Sequence, residues 1–399
     1  MHLHRAYSGP DAPRRRGDLR NLVPGSRFAL AALCSVLALP ACAAENGSRP
    51  DRPLAYFNDV DPKVPWSIHV VKIDRAHPEL RFCTTLGDGQ ILGMSTVSEQ
   101  LKSLPPGLGQ PLAAINGDYY EKSKDYAGCP RDLQICQGEV VSNPTGHNCF
   151  WIDAQGNPRM TNVWSRFRVV WPNGTETPMG LNRERTNHEA MLYTAVIGKS
   201  TRTTGGTEYV LERGGDGGWL PLRAGRSYEA RVRAVRTTGN TAIDRDAIVL
   251  SLSPSLAESL PVLSPGAALT LTTETIPDVA GAEFAIGGGP TLVRDAKPAE
   301  WGGWVLIRHP HSALGWNKSH IFLVVVDGRQ IDVSLGMTFP ELAQYMLRLG
   351  CDQAMNLDGG GSTTLWALGN VRNSPSEGQE RPAPNALVVL KQPVKPQAK

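Results

Sequence analysis

The sequence predicts an α+β protein of mixed β-sheets, few helices and one βαβ crossover that carries the functional residues. Three observations predict it. Ile321–Val326 is an unbroken apolar run, as in a strand buried on both faces. Thr338 to Gly350 reads as a capped helix: Thr338 and Glu341 form a capping box, and Pro340 sits harmlessly in the first turn. Leu342, Tyr345, Met346 and Leu349 share one face, and Gly350 is the stop. Ala354–Trp366 then gives a second short strand (Met355, Leu357), the turn Asp358-Gly359-Gly360-Gly361-Ser362, and strand-forming residues again at Thr363–Trp366. Strand, helix and strand at this spacing make a crossover whose two strands are parallel and adjacent or nearly so. Asp327 and Asp358 then leave the carboxyl ends of these strands on one sheet edge, where open α/β sheets bind ligands.

Three consecutive glycines cost backbone entropy, so a packed strand would not select them. They offer amide N–H groups to an anion, beside one carboxylate and one hydroxyl. The competing reading is a tight turn in which Asp358 bonds its own backbone.

From the N-terminus, six arginines (Arg5, Arg14, Arg15, Arg16, Arg20, Arg27) against Asp11 and Asp18 precede the apolar stretch Phe28–Leu39 and Pro-Ala-Cys-Ala-Ala. That order reads as a signal peptide over residues 1–44, cleaved near Ala43 or Ala44, and so as export to the periplasm or beyond. Cys42 leaves a lipid anchor open as an alternative. Without the four surplus positive charges of this segment the chain is close to neutral, which argues against nucleic acid. No later stretch is long and apolar enough for a membrane-spanning helix. Of the cysteines beyond the signal, Cys129 with Cys136 and Cys83 with Cys149 are candidate disulfides in an exported chain, whereas Cys351 reads as a buried free thiol.

After a polar linker (residues 45–53) comes the domain, residues 54–390. Trp66–Asp74 alternates as a strand, with Leu80–Thr85 as its expected partner. Val97–Leu104 reads as a helix, and Leu112–Ile115 as a strand ending in Asn116-Gly117-Asp118-Tyr119-Tyr120, a polar turn with aromatics suited to a sugar face. Cys129–Cys149 reads as a stapled loop and Arg166 onward as a hairpin. Tyr209–Leu211, Tyr228–Arg236, Ala247–Leu252 and Ala268–Thr273 read as strands, so the middle of the domain is β-rich. Gly287-Gly288-Gly289-Pro290 is a further glycine loop, but lacks the lysine and spacing of a nucleotide loop, so no cofactor is expected. Arg308, His309 and His311 precede the Ile321 strand as candidate cations for a phosphate. Ala386–Leu390 is the last strand, and residues 391–399 a frayed tail.

Several motifs, in order, resemble the phosphodiester glycosidase family: Ala114–Tyr120, Gly287–Pro290, His309–Gly315, Val326–Arg329, Gly336–Thr338, Asn356–Ser362 and Glu380–Asn385. The family's animal member removes N-acetylglucosamine from a phosphodiester to uncover mannose 6-phosphate, and its bacterial relatives are exported and linked with exopolysaccharide. The resemblance implies cleavage of a sugar-1-phosphodiester at the anomeric carbon, releasing sugar and a phosphomonoester. A phosphate monoester leaves readily, so cations that stabilise its charge matter more than a strong acid. A carboxylate must still attack the anomeric centre, steady it or activate water. On this reading Asp358 is the nucleophile or base, and Asp327 the second carboxylate or a ligand to a substrate hydroxyl. Arg329, Arg308 and His311 contact phosphate. Asn116, Asp118, Asn385, Ser362 and the amides of Gly359, Gly360 and Gly361 hold the substrate. Two alternatives remain. One is a non-catalytic envelope protein that captures phosphate-containing glycans. The other is a phosphodiesterase with a divalent cation gathered by Asp118, Asp327 and Asp358.

Overall fold

A computed structural model describes residues 53–123, 125–301 and 306–392. The signal segment 1–44, nearly all of the linker and all but the start of the tail lie outside the described residues. Three sheets organise the rest. A seven-stranded sheet runs in the order Leu54–Asp61, Trp66–Asp74, His320–Val326, His311–Trp316, Gln353–Asn356, Thr291–Arg294, Lys297–Pro298. A five-stranded sheet has Gln110–Asn116 at its centre, flanked by Leu365–Ala367 and Ala386–Lys391. The third has eleven strands. An added pairing between Ala268–Ile276 and Pro158–Val170 closes part of it into a ring.

The apolar run is buried on both faces, as its composition predicts. Ile321, Leu323 and Val325 point into a core shared with Ala113, Ile115, Leu387 and Val389 of the five-stranded sheet. Phe322, Val324 and Val326 point the other way, beneath the helix Phe339–Arg348, onto Leu342, Tyr345 and Met346. At about 1.5–3 kcal/mol for each large apolar side chain removed from water, this strand is a main anchor of the fold. The helix has the expected capping box, with Thr338 accepting from the Glu341 amide and Glu341 accepting from the Thr338 amide. The interior of the ring is equally apolar, with Phe167, Val169, Leu211, Ala230, Leu250 and Leu271 buried together.

The crossover is present with one strand interposed. His311–Trp316 pairs antiparallel with both His320–Val326 and Gln353–Asn356, which makes those two parallel to each other but not neighbours. All six residues of the interposed strand are buried. Its Gly315 is required by crowding: a Cβ would lie 2.6 Å from the Met346 methyl and 2.8 Å from the Gln353 carbonyl.

Three expectations need correction. Leu80–Thr84 pairs with Ala386–Lys391, not with Trp66–Asp74, because the C-terminal strand is inserted beside it. Cys129–Cys149 is no stapled loop but holds the strands Gln134–Cys136 and Glu139–Ser142 and the start of Thr145–Ile152. No disulfide forms among the described residues: Cys83, Cys129, Cys136, Cys149 and Cys351 are all free. Cys83 packs in the cluster under the helix Val97–Lys102, and Cys149 in the one that continues into the ring. The Cys136 thiol donates to the Thr84 carbonyl at 3.2 Å. Cys351 is buried as expected, and burial pushes its thiol up to about 12, away from nucleophile chemistry. No described helix is long and apolar enough to cross a membrane.

Candidate active site

The carboxyl ends of His320–Val326 and Gln353–Asn356, and the start of the strand between them, open on one edge of the sheet. A cleft of about 310 Å³ lies there, lined by Tyr119, Ile307, His309, Pro310, His311, Arg329, Phe339, Asn356, Asp358, Gly359–Gly361 and Arg381. A larger groove, about 630 Å³, runs past Thr84, Gln100, Gln137 and Thr194, and none of the site residues expected from the sequence lines it.

Asp358 is the one acidic side chain on the cleft lining. Its Oδ1 accepts the Gly359 N–H at 2.9 Å, and its Oδ2 lies 4.0 Å from Arg381 Nη2. Burial raises its pKa above the ordinary carboxylate value, while Ser362, Arg381 and the Gly359 amide pull it back. Arg381 also donates to Ser362 Oγ at 2.7 Å (Nη2) and 3.3 Å (Nε). Opposite, Arg329 holds a left-handed backbone (φ 60°), and its Nη2 lies 3.3 Å from His309 Nδ1. Two guanidinium groups and one carboxylate therefore face the same space.

The glycine run has a physical explanation other than a row of free amides. The Gly359 N–H is held by Asp358, and the Gly360 N–H by the Pro310 carbonyl at 2.9 Å. Gly360 is left-handed (φ 61°), and a Cβ there would stand 3.1 Å from the Arg329 guanidinium. A Cβ on Gly361 would collide with Glu377 and Arg381. The glycines leave room for the Arg329 guanidinium against Gly360 and the Arg381 guanidinium against Gly361.

Of the remaining residues expected from the sequence, His311 lines the cleft, but as a neutral ring. It is 5% exposed, burial lowers it to about 4, and its Nε2 lies 2.9 Å from the Met337 carbonyl. Its Nδ1 lies 3.1 Å from Asn356 Oδ1, so both ring nitrogens are taken up by protein oxygens and neither is turned to a phosphate. Arg308 does not line the cleft; its guanidinium pairs with Glu341, the helix-capping carboxylate. Asp327 is turned away too. Its Oδ2 lies 2.8 Å from His69 Nε2, its Oδ1 accepts the Ser374 N–H at 2.8 Å, and it is 1% exposed.

Asn116, Asp118 and Asn385 form the buried layer behind the cleft. Asn116 Nδ2 donates to the Asp358 carbonyl at 2.7 Å, and its Oδ1 accepts from the Thr364 amide (3.0 Å) and the Ser312 hydroxyl (2.5 Å). Asn385 Oδ1 accepts the Asp118 N–H at 2.9 Å. Asp118 accepts from the amides of Tyr119 (2.7 Å) and Asp132 (2.8 Å), which fixes Tyr119 in the cleft wall. The Tyr119 hydroxyl donates to the Gly289 carbonyl at 3.2 Å, and Arg131 covers its ring at 4.3 Å. Among the described residues no three His, Cys, Asp or Glu side chains converge as a metal site would need. Sequence reading gave Arg381 no role, although it lies in the motif Glu380–Asn385, because nothing local to that proline-bearing stretch says where its guanidinium goes. It also left Asn356 as one letter of a larger motif.

Residues 224–390 match the model of the phosphodiester glycosidase family. The chain is 33% identical over 114 residues to the SPβ prophage-derived uncharacterized protein YomE of Bacillus subtilis (strain 168), covering 27% of this chain and 18% of that protein. Among solved structures, a hypothetical protein from Synechocystis superposes with a TM-score of 0.68 at 18% identity, covering 84% of this chain and 62% of that one. An exported-type protein of Burkholderia pseudomallei K96243 superposes with 0.64 at 22% identity, covering 82% and 74%. The catalytic domain of zebrafish N-acetylglucosamine-1-phosphodiester alpha-N-acetylglucosaminidase gives 0.43 at 15% identity, over 85% and 82%.

Proposed function

With a phosphodiester glycosidase domain as the premise, we propose that this chain is an exported hydrolase that cleaves sugar-1-phosphodiesters at the anomeric carbon. It would release a sugar of the N-acetylglucosamine kind and a phosphomonoester. One observation carries the reading: among the described residues the cleft lining offers a single carboxylate together with two guanidinium groups. An ordinary glycosidase needs two carboxyl groups, one of them an acid for a poor leaving group. A departing phosphate monoester needs no such acid but does need its charge met.

In this mechanism Asp358 attacks the anomeric carbon or takes a proton from water, and its carboxylate form is favoured by the Gly359 amide, Ser362 and Arg381. Arg329 and Arg381 receive the developing phosphate charge in forked, charge-assisted bonds. Tyr119, backed by Arg131, offers a ring face to the sugar.

The test is a screen of purified protein against sugar-1-phosphodiesters, reading free sugar, with turnover in heavy-oxygen water. Label in the sugar and loss of turnover in Asp358→Asn support the reading. Label in the phosphate, or full turnover by that variant, ends it. Tight glycan binding with no product from any diester would favour the capture protein instead.

A further inference from the structure

Asp327 is the feature the proposed chemistry leaves unused: a buried carboxylate at the strand end nearest the cleft, facing away from it. We propose that Asp327 is a positioning residue that ties together the two segments bearing the phosphate-binding guanidiniums. This rests on the reading of Arg329 and Arg381 above and extends it.

The ties are all short. Asp327 opens the segment that carries Arg329 two residues later. Its backbone is pinned at both ends, with its N–H donating to the Ser67 carbonyl at 3.0 Å and its carbonyl accepting the Ser334 hydroxyl at 2.6 Å. Its side chain reaches across to the second segment, where Oδ1 accepts the Ser374 N–H at 2.8 Å. Gln330, next to Arg329, repeats the link: its Nε2 donates to the Ser374 carbonyl, and its Oε1 accepts from the Ser374 hydroxyl, each at 2.8 Å. From Ser374 the chain makes one turn, closed by the Gly378 N–H on the Pro375 carbonyl, and arrives at Arg381. Glu377 in that turn holds Arg381 Nη1 at 3.2 Å.

The other carboxylate oxygen is braced from behind. His69 Nε2 lies 2.8 Å from Oδ2, and the far side of that ring meets the Tyr56 hydroxyl at 3.0 Å and the Asn58 amide at 3.1 Å. A buried, fully bonded carboxylate holds its partners in one geometry, and removing it leaves the Ser374 amide without its acceptor and His69 Nε2 with only the Ser67 hydroxyl, at 3.1 Å. Arg329 itself is exposed, so apart from the His309 ring at 3.3 Å its own segment fixes where its guanidinium stands. Losing the tie therefore disperses the two cations while leaving Asp358 on its own strand end, held by Asn116.

The experiment measures binding of inorganic phosphate by calorimetry, alongside kcat, KM and thermal midpoint. Asp327→Ala should weaken phosphate roughly tenfold or more, the scale of one charge-assisted contact, and raise KM more than it lowers kcat. Asp327→Asn, which keeps an acceptor for Ser374, should recover most of the affinity. In an Arg381→Met background the Asp327→Ala effect should shrink, because the cation it places is already gone. If Asp327→Ala does not fold, Gln330→Ala decides, since it breaks the same link from a half-buried position. Wild-type phosphate affinity in the folded Asp327→Ala protein (or in Gln330→Ala), or a loss confined to kcat, overturns the proposal. Protein that binds phosphate in this Asp327-dependent way but cleaves no sugar-1-phosphodiester would retire the glycosidase reading and keep the tie.

Discussion

Arg381→Met removes the cation that sequence reading overlooked, and its effect follows from the geometry. Unit charges 4.0 Å apart attract by about 1 kcal/mol in water and about 4 kcal/mol at an effective dielectric near 20. Arg381 is 31% exposed and Asp358 13%, so the pair belongs toward the lower end, about 1–2 kcal/mol. That attraction helps keep Asp358 ionised, so its loss shows in the pH profile and not in the rate of the ionised form. The rate falls because a preorganised donor to the departing phosphate is lost, a factor on the order of 10²–10³. The pH profile gives an independent check. Burial already raises Asp358, and Arg381 is among the groups pulling it down. Without Arg381 the carboxylate protonates at higher pH. The reaction uses the ionised form, present above that pKa and lost below it, so the acid limb of kcat/KM moves upward in pH. The assay is release of sugar from an aryl phosphodiester of N-acetylglucosamine 1-phosphate across a pH series, with Arg381→Lys beside it to separate charge from fork geometry. A methionine variant within about twofold of wild type, its acid limb unmoved, would refute the assignment.

Asp358→Asn should lower sugar release by a factor on the order of 10³ or more while leaving phosphate affinity intact, measured by turnover and calorimetry side by side. Arg308→Ala should leave kcat/KM near wild type and cost at most about 1 kcal/mol in denaturant stability, as expected for an exposed pair with Glu341. Asn116→Ala should cost about 1–3 kcal/mol through its orphaned buried partners and also lower kcat, because it frees the Asp358 carbonyl. His311, lowered by burial to about 4, stays neutral in the fold while the unfolded chain takes up a proton nearer 6.5. Stability should thus fall as pH drops through that window, and His311→Asn should flatten the slope in denaturation curves.

The crossover and its helix were legible because both are written locally, in an apolar run and in the Thr338–Glu341 box. What lay between them was not. His311–Trp316 carries a glycine, a serine and a histidine, so its burial comes from the strands on either side and not from its own composition. The cleft was half legible for the same reason. Asp358 and Arg329 sit within short motifs at strand ends, whereas Asp327 shares that position yet points backward to a histidine far away in the chain. Direction is set by the partner available, and periodicity does not encode partners. Arg381 reaches the cleft through a proline-bearing tail whose course depends on Ser374 bonding to Asp327 and Gln330.

The strand Ala386–Lys391 is an interior strand of its sheet, between Leu80–Thr84 and Gln110–Asn116. Those two early strands therefore have their facing edges unpaired until that segment is in place. The cleft acquires its rear wall only when Ala386–Lys391 slots in between them, so assembly is driven by contacts remote in sequence. The order in which the cleft can assemble is thus written into where that strand goes.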